Sequence, residues 1–153
     1  MLSVPVLCPS EKETEDLGAR LAEVLRRGDC VTLTGDLGAG KTTLIRSLIR
    51  ARAGAPIDVP SPTYALIEAY EFETPIFHVD LYRLENPADA WELGLEAMFE
   101  VGITLIEWPD RAEDLLPKAR LEITISHRDE GREIIWRPLG KEWTERMAHW
   151  ETT

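Results

Sequence analysis

One octapeptide narrows what this chain can fold into more than any other stretch. Gly35-Asp36-Leu37-Gly38-Ala39-Gly40-Lys41-Thr42 fits G-x-x-x-x-G-K-[ST] at every fixed position. Val31 to Thr34 before it is a short β-prone run, and Leu44, Ile45, Leu48 and Ile49 after it mark one face of a helix. Strand, glycine loop and helix in that order are what a phosphate loop requires. The glycines let the backbone turn its N–H groups inward around phosphate oxygens, and the helix start adds the positive end of its dipole. Lys41 then supplies a mobile charge for the β- and γ-phosphates, and the Thr42 hydroxyl a ligand for a bridging magnesium ion. Thr43 either reaches an α-phosphate or simply begins the first turn. The competing reading, a glycine-rich turn with a solvated lysine, does not account for the flanking strand and helix.

Magnesium needs further oxygen ligands, usually one or two carboxylates. The apolar runs "IFHVD" and "ITLIE" end at Asp80 and Glu107. In open α/β sheets ligands sit beyond the carboxyl ends of the strands, so both side chains are candidates for the metal and for catalysis, although either can be a helix cap or a surface charge. His78 lies two residues before Asp80 and shares its face on an extended strand. A satisfied structural histidine fits that position better than a catalytic one. His127 falls in an expected hairpin turn and His149 in the tail, and the sequence alone names no partner for either.

The rest of the chain is organised around these elements. Ser10-Glu11-Lys12-Glu13 is a capping box, and Leu17, Leu21, Val24 and Leu25 follow at helical spacing, which predicts a helix from about Glu11 to Arg27. Pro60 and Pro62 exclude helix, and a strand is expected from about Tyr64 to Phe72. "NPADAWELGLEAMF" carries Asn86 as a helix cap and Pro87 at the first helical position. "WPDRAEDLLP" reads as a loop or short helix, and "LEITIS" and "REIIWRP" flank "HRDEG" as a hairpin. Residues 139–153 predict a C-terminal helix whose Trp143, Met147 and Trp150 pack on the body of the protein. The fold class is therefore α/β, a three-layer arrangement with a mainly parallel central sheet and an antiparallel C-terminal hairpin, built as one domain over residues 1–153.

Composition excludes several functions. The net charge of −11 opposes a broad footprint on nucleic acid. Nine acidic side chains between Glu85 and Asp114 stand against Arg111 alone, a density typical of a solvated face, with docking of a basic protein as the minority reading. No apolar run spans a bilayer, and the first residues lack a secretory pattern, so no membrane association and a cytoplasmic location are expected. Cys8 and Cys30 have no metal-ligand spacing and are expected to be reduced and buried.

A phosphate loop defines phosphate binding and leaves the reaction open. No N-K-x-D guanine-reading sequence is present, so adenine is favoured by default. A small-metabolite kinase and a nucleotide-gated binding module are the rival readings. The kinase needs an arginine-rich lid, and the segment after Trp108 offers mostly acids.

"GDLGAGKTT" (Gly35 to Thr43), "SPTY" (Ser61 to Tyr64), "HVDLYRL" (His78 to Leu84) and "IEWP" (Ile106 to Pro109), in this order and in so short a chain, resemble the TsaE family, bacterial ATPases of tRNA threonylcarbamoyladenosine synthesis. The resemblance runs from about Pro9 to Pro138. It implies a P-loop NTPase fold, ATP and magnesium as ligands, and action with the protein partners TsaB and TsaD, with tRNA reached only through them. It further implies that Leu37, Gly38, Ala39, Gly40, Lys41, Thr42 and Thr43 wrap the phosphates, that Thr42 and Glu107 ligate magnesium, and that Asp80 lies near the metal in a Walker B-like role. Glu11 and Arg132 match positions that approach the nucleotide. Ser61, Pro62, Thr63 and Tyr64 look like a switch sensing the γ-phosphate, Thr63 being its polar contact. Turnover is expected to be slow alone and stimulated by the partners.

Overall fold

The structure, a computed structural model, describes residues 3, 5–36, 38–61 and 66–151, the last by its backbone only. Its described elements are β1 (Val6–Cys8), α1 (Glu11–Ala22), β2 (Cys30–Thr34), α2 (Lys41–Ala53), β3 (Ile67–Tyr70), β4 (Ile76–Asp80), a 3₁₀ helix (Pro87–Leu93), α3 (Leu95–Val101), β5 (Ile103–Glu107), a second 3₁₀ helix (Pro109–Leu115), β6 (Arg120–Arg128), β7 (Gly131–Leu139) and α4 (Lys141–Glu151). One mixed sheet runs in the order β1-β7-β6-β2-β5-β4-β3. The pairs β2–β6, β2–β5 and β4–β5 are parallel, and the outer pairs β1–β7, β6–β7 and β3–β4 are antiparallel. The parallel strands β2 and β5 are buried along nearly their whole length because both sheet faces are covered, with Thr32 and Thr104 buried among their apolar residues.

The main core joins α1, α2 and α4 to the sheet through Leu17, Leu21, Leu44, Ile45, Leu48, Ile123, Ile134 and Trp136. The expected C-terminal stripe is part of it: Trp143, Met147 and Trp150 are buried, and Trp150 meets Trp136 edge to face at 5.0 Å. The Arg146 guanidinium beside them donates to Asp29 Oδ2 at 2.6 Å, with both side chains buried. Both cysteines are free and buried, and burial pushes the Cys30 thiol up to about 12, which leaves it unreactive.

Several boundaries differ from the sequence reading. The Ser10 hydroxyl caps α1 as expected, accepting from Glu13 N–H, but the helix ends at Ala22 instead of Arg27. Its last turn tightens through Val24 N–H to Leu21 O at 3.1 Å, and Asp29 Oδ2 then accepts from Arg26 N–H at 2.6 Å to turn the chain into β2. The helix after Asn86 is capped by that residue's side chain but splits at Gly94 into a 3₁₀ and an α segment. Strand β3 covers Ile67–Tyr70 of the expected stretch, whose first residue, Tyr64, lies outside the described residues. His127 is in β6, paired with Arg132, and the hairpin turn is confined to Asp129 and Glu130.

Helices α1 and α2 approach closely at Gly18. A Cβ there would lie 2.0 Å from Ser47 Oγ and 2.7 Å from the Leu44 carbonyl oxygen. The serine can rotate away, but the carbonyl is backbone, so the helices must part. Alanine gains about 1 kcal/mol of helix propensity over glycine, whereas overpacking costs about 1–3 kcal/mol. Gly18→Ala is therefore expected to be destabilising on balance, read as a lower midpoint in urea unfolding.

Candidate functional site

Strand β2 delivers the chain at Gly35 to the loop, and α2 carries it away from Lys41. Gly38 and Gly40 take φ of 79° and 109°, the left-handed conformations that turn successive backbone groups inward. The first turn of α2 holds no acidic residue, so the positive end of its dipole is uncancelled by the helix's own side chains. A cavity of about 280 Å³ opens over this helix start and is lined by Gly38, Gly40, Lys41, Thr42 and Thr43.

The two strand-end carboxylates line the same cavity. Parallel pairing places Asp80 and Glu107 at one register position of β4 and β5. Asp80 Oδ1 accepts from Tyr82 N–H at 2.9 Å, and both carboxylates are buried, Asp80 at 6% and Glu107 at 4% exposure. Lys41 is equally buried and donates to the Gly35 carbonyl, with its ammonium 4.0 Å from the centre of the Trp108 ring. Burial lowers the Lys41 pKa, while Glu107, Asp80 and Asp36 pull it upward.

Arg132 closes the loop's outer side: its Nη2 lies 3.3 Å from Gly38 O, and a Cβ on Gly40 would stand 3.4 Å from its Nε. Ser61 also lines the cavity. Glu11 does not. It borders an adjoining cavity of about 220 Å³ that shares Gly40, Thr43 and Arg132 with the first. Ala39 is buried, 1% exposed, within the loop. Of the remaining sequence-predicted positions, Leu37, Pro62, Thr63 and Tyr64 lie outside the described residues. Among the described residues, no group of three or more His, Cys, Asp or Glu side chains is placed to hold a metal, and no helix is long and apolar enough to cross a membrane.

Two features escaped the sequence reading. Trp108 sits at φ 58° and ψ 52°, a conformation rare for a bulky residue, and its ring meets that of Tyr82 at 4.9 Å in a tilted contact while covering Lys41. His78 Nε2 lies 2.7 Å from Glu107 Oε2, and its Nδ1 is buried without a hydrogen-bond partner among the described residues. His78 is thus only half satisfied.

The family described as "Threonylcarbamoyl adenosine biosynthesis protein TsaE" matches residues 8–134, most of the chain and the whole site. The chain belongs to the TsaE family. The tRNA threonylcarbamoyladenosine biosynthesis protein TsaE of Rickettsia bellii is 36% identical over 137 residues, covering 88% of this chain and 94% of that protein. The Nostoc protein of the same name is 39% identical over 134 residues, covering 82% and 80%. The crystal structure of Bacillus subtilis YdiB superposes with a TM-score of 0.82 at 28% identity, covering 99% of this chain and 97% of that one. This TsaE-family chain has the P-loop NTPase fold expected of it.

Proposed function

We propose that this chain binds and hydrolyses ATP with magnesium, and that its hydrolysis supports repeated turnover of a TsaB–TsaD pair in tRNA threonylcarbamoyladenosine formation. The observation that carries this reading is the meeting of Lys41, Thr42, Asp80 and Glu107 around one cavity at the start of α2. The names of the relatives and the family supply the pathway.

The donor set suits magnesium: a hydroxyl from Thr42 and carboxylates from Asp80 and Glu107, hard oxygens few enough to leave room for phosphate and water. Thr42, Asp80 and Glu107 would hold the magnesium, which would supply positive charge to offset that developing on the phosphates. The chain's own groups do the rest. Backbone N–H groups of residues 38–43 hold the phosphates, and Lys41 exchanges its carbonyl partner for them. Trp108 covers the lysine's ring-facing side and excludes water from it. Arg132 and Glu11 approach the nucleotide through the adjoining cavity that both line. Ser61 and the three residues after it sense the γ-phosphate. Asp80 and Glu107 compete as the base that orients water, and no second reading is favoured by the cavity, which presents no arginine cluster for a kinase lid among the described residues.

Asp80→Asn and Glu107→Gln test the assignment with little change of shape. Each is expected to lower ATP hydrolysis by roughly 10²-fold while shifting nucleotide affinity only a few-fold, because the charge matters most as phosphoryl transfer proceeds. Calorimetric titration and phosphate release on each variant give the two numbers. Parent-like hydrolysis in both would remove the metal site as drawn.

A further inference from the structure

We propose that His78 is a positioning residue for Glu107. Its Nε2–H anchors one oxygen of that carboxylate and presents the other to the phosphate cavity, where the divalent cation binds. The inference rests on the ATP–magnesium reading above.

His78 and Glu107 are 1% and 4% exposed, and their 2.7 Å contact links neighbouring strands β4 and β5. The register pairs His78 with Leu105 and Asp80 with Glu107, so the imidazole reaches diagonally to the carboxylate that stands opposite Asp80. A carboxylate that ligates a cation accepts hydrogen bonds and does not donate them, so in the proposed arrangement Nε2 is the donor. The other nitrogen, Nδ1, is buried with no partner among the described residues. A position that merely needed filling would be served better by an aliphatic side chain, which leaves no polar atom unsatisfied. The contact the ring makes in exchange is the one to Glu107.

That contact has a physical use. A glutamate has three rotatable side-chain bonds, and one that must meet a cation in a fixed place gains by being ordered beforehand. Hydrogen-bond partners that orient a metal-binding carboxylate typically set metal affinity by 10- to 100-fold.

The test uses two isopolar variants of the full chain. The His78→Gln amide nitrogen can reach where the ring Nε2 stands, whereas that of His78→Asn falls short. Mg²⁺ is titrated into each variant holding a fluorescent, slowly hydrolysed ATP analogue, and analogue binding in EDTA together with thermal melting reports on the fold. His78→Asn is expected to raise the Mg²⁺ midpoint about 10-fold or more, and His78→Gln to restore most of it. An unchanged midpoint in His78→Asn, or equal shifts in both variants, overturns the inference. Glu107→Gln runs beside them: a shift there with a parent-like His78→Asn removes only the positioning role, while no shift in Glu107→Gln removes the metal reading and the positioning role together. The parent chain offers a readout independent of any variant's folding. Adding Mg²⁺ to the analogue complex should move the His78 imidazole nitrogen resonances, and resonances that stay in place count against the proposal.

Discussion

Lys41→Ala is expected to weaken ATP binding by roughly 10- to 100-fold and to reduce hydrolysis further, by about 10²–10³-fold. The first figure follows from losing a charge-assisted contact, about 1.5–3 kcal/mol, and the second from losing a positive group aimed at the transferring phosphoryl oxygens. The folded chain should not suffer. Burial holds the Lys41 pKa below its usual 10.5, so the unfolded chain binds this proton more tightly than the folded one. The sign follows: Lys41 opposes folding at pH values below its folded pKa, and that penalty fades as pH rises toward 10.5. Removing the ammonium near neutral pH therefore relieves a destabilising group, although the Gly35 carbonyl and the Trp108 face lose their partner. Calorimetry with ATP, phosphate release and urea unfolding on parent and variant separate the three effects. An alanine variant that binds and hydrolyses ATP like the parent would end the phosphate-loop reading.

The second large effect concerns partners. Among the described residues, Lys41 and Arg132 are the cations lining the cavity, and Arg132 is already turned toward the carbonyls of Gly38 and Gly131. Facing them are the buried carboxylates Asp80 and Glu107. On the ATP reading proposed above, these two cations are few among the described residues for stabilising phosphoryl transfer, so the chain alone is expected to turn over slowly. A positive group supplied in trans can be worth 10³–10⁵ in rate. Adding a TsaB–TsaD pair is accordingly expected to accelerate phosphate release by at least about tenfold, and Lys41→Ala should abolish the acceleration. Measurements with and without the pair, on parent and variant, decide it. Equal rates in all four samples favour a binding module, and acceleration by a small metabolite instead favours a kinase.

Much of the site could be read before folding because its parts are contiguous. Gly35 to Thr42 is one loop whose spacing encodes its own geometry, and the two carboxylates end apolar runs recognisable as strands. The C-terminal stripe was equally legible, since helical period alone puts Trp143, Met147 and Trp150 on one face. Helix ends were less so. Val24 and Leu25 continue the period of α1, yet the demand that the chain reverse into β2 ends that helix at Ala22, with Asp29 accepting from Arg26 N–H.

What the amino-acid order determined by itself was the phosphate nest, its charge and the two candidate metal carboxylates, all set by local spacing. What the tertiary structure alone decided was how those groups are held. His78 and Glu107 lie 29 positions apart and meet only because β4 and β5 pair in one particular parallel register. A slip of one residue in either strand would put the two side chains on opposite faces of the sheet. Trp108 covers Lys41 only because its backbone adopts a left-handed conformation that no propensity for tryptophan foretells. Contacts between distant strands, and conformations imposed on a residue by its surroundings, are properties of the packed sheet and have no local signature in the chain.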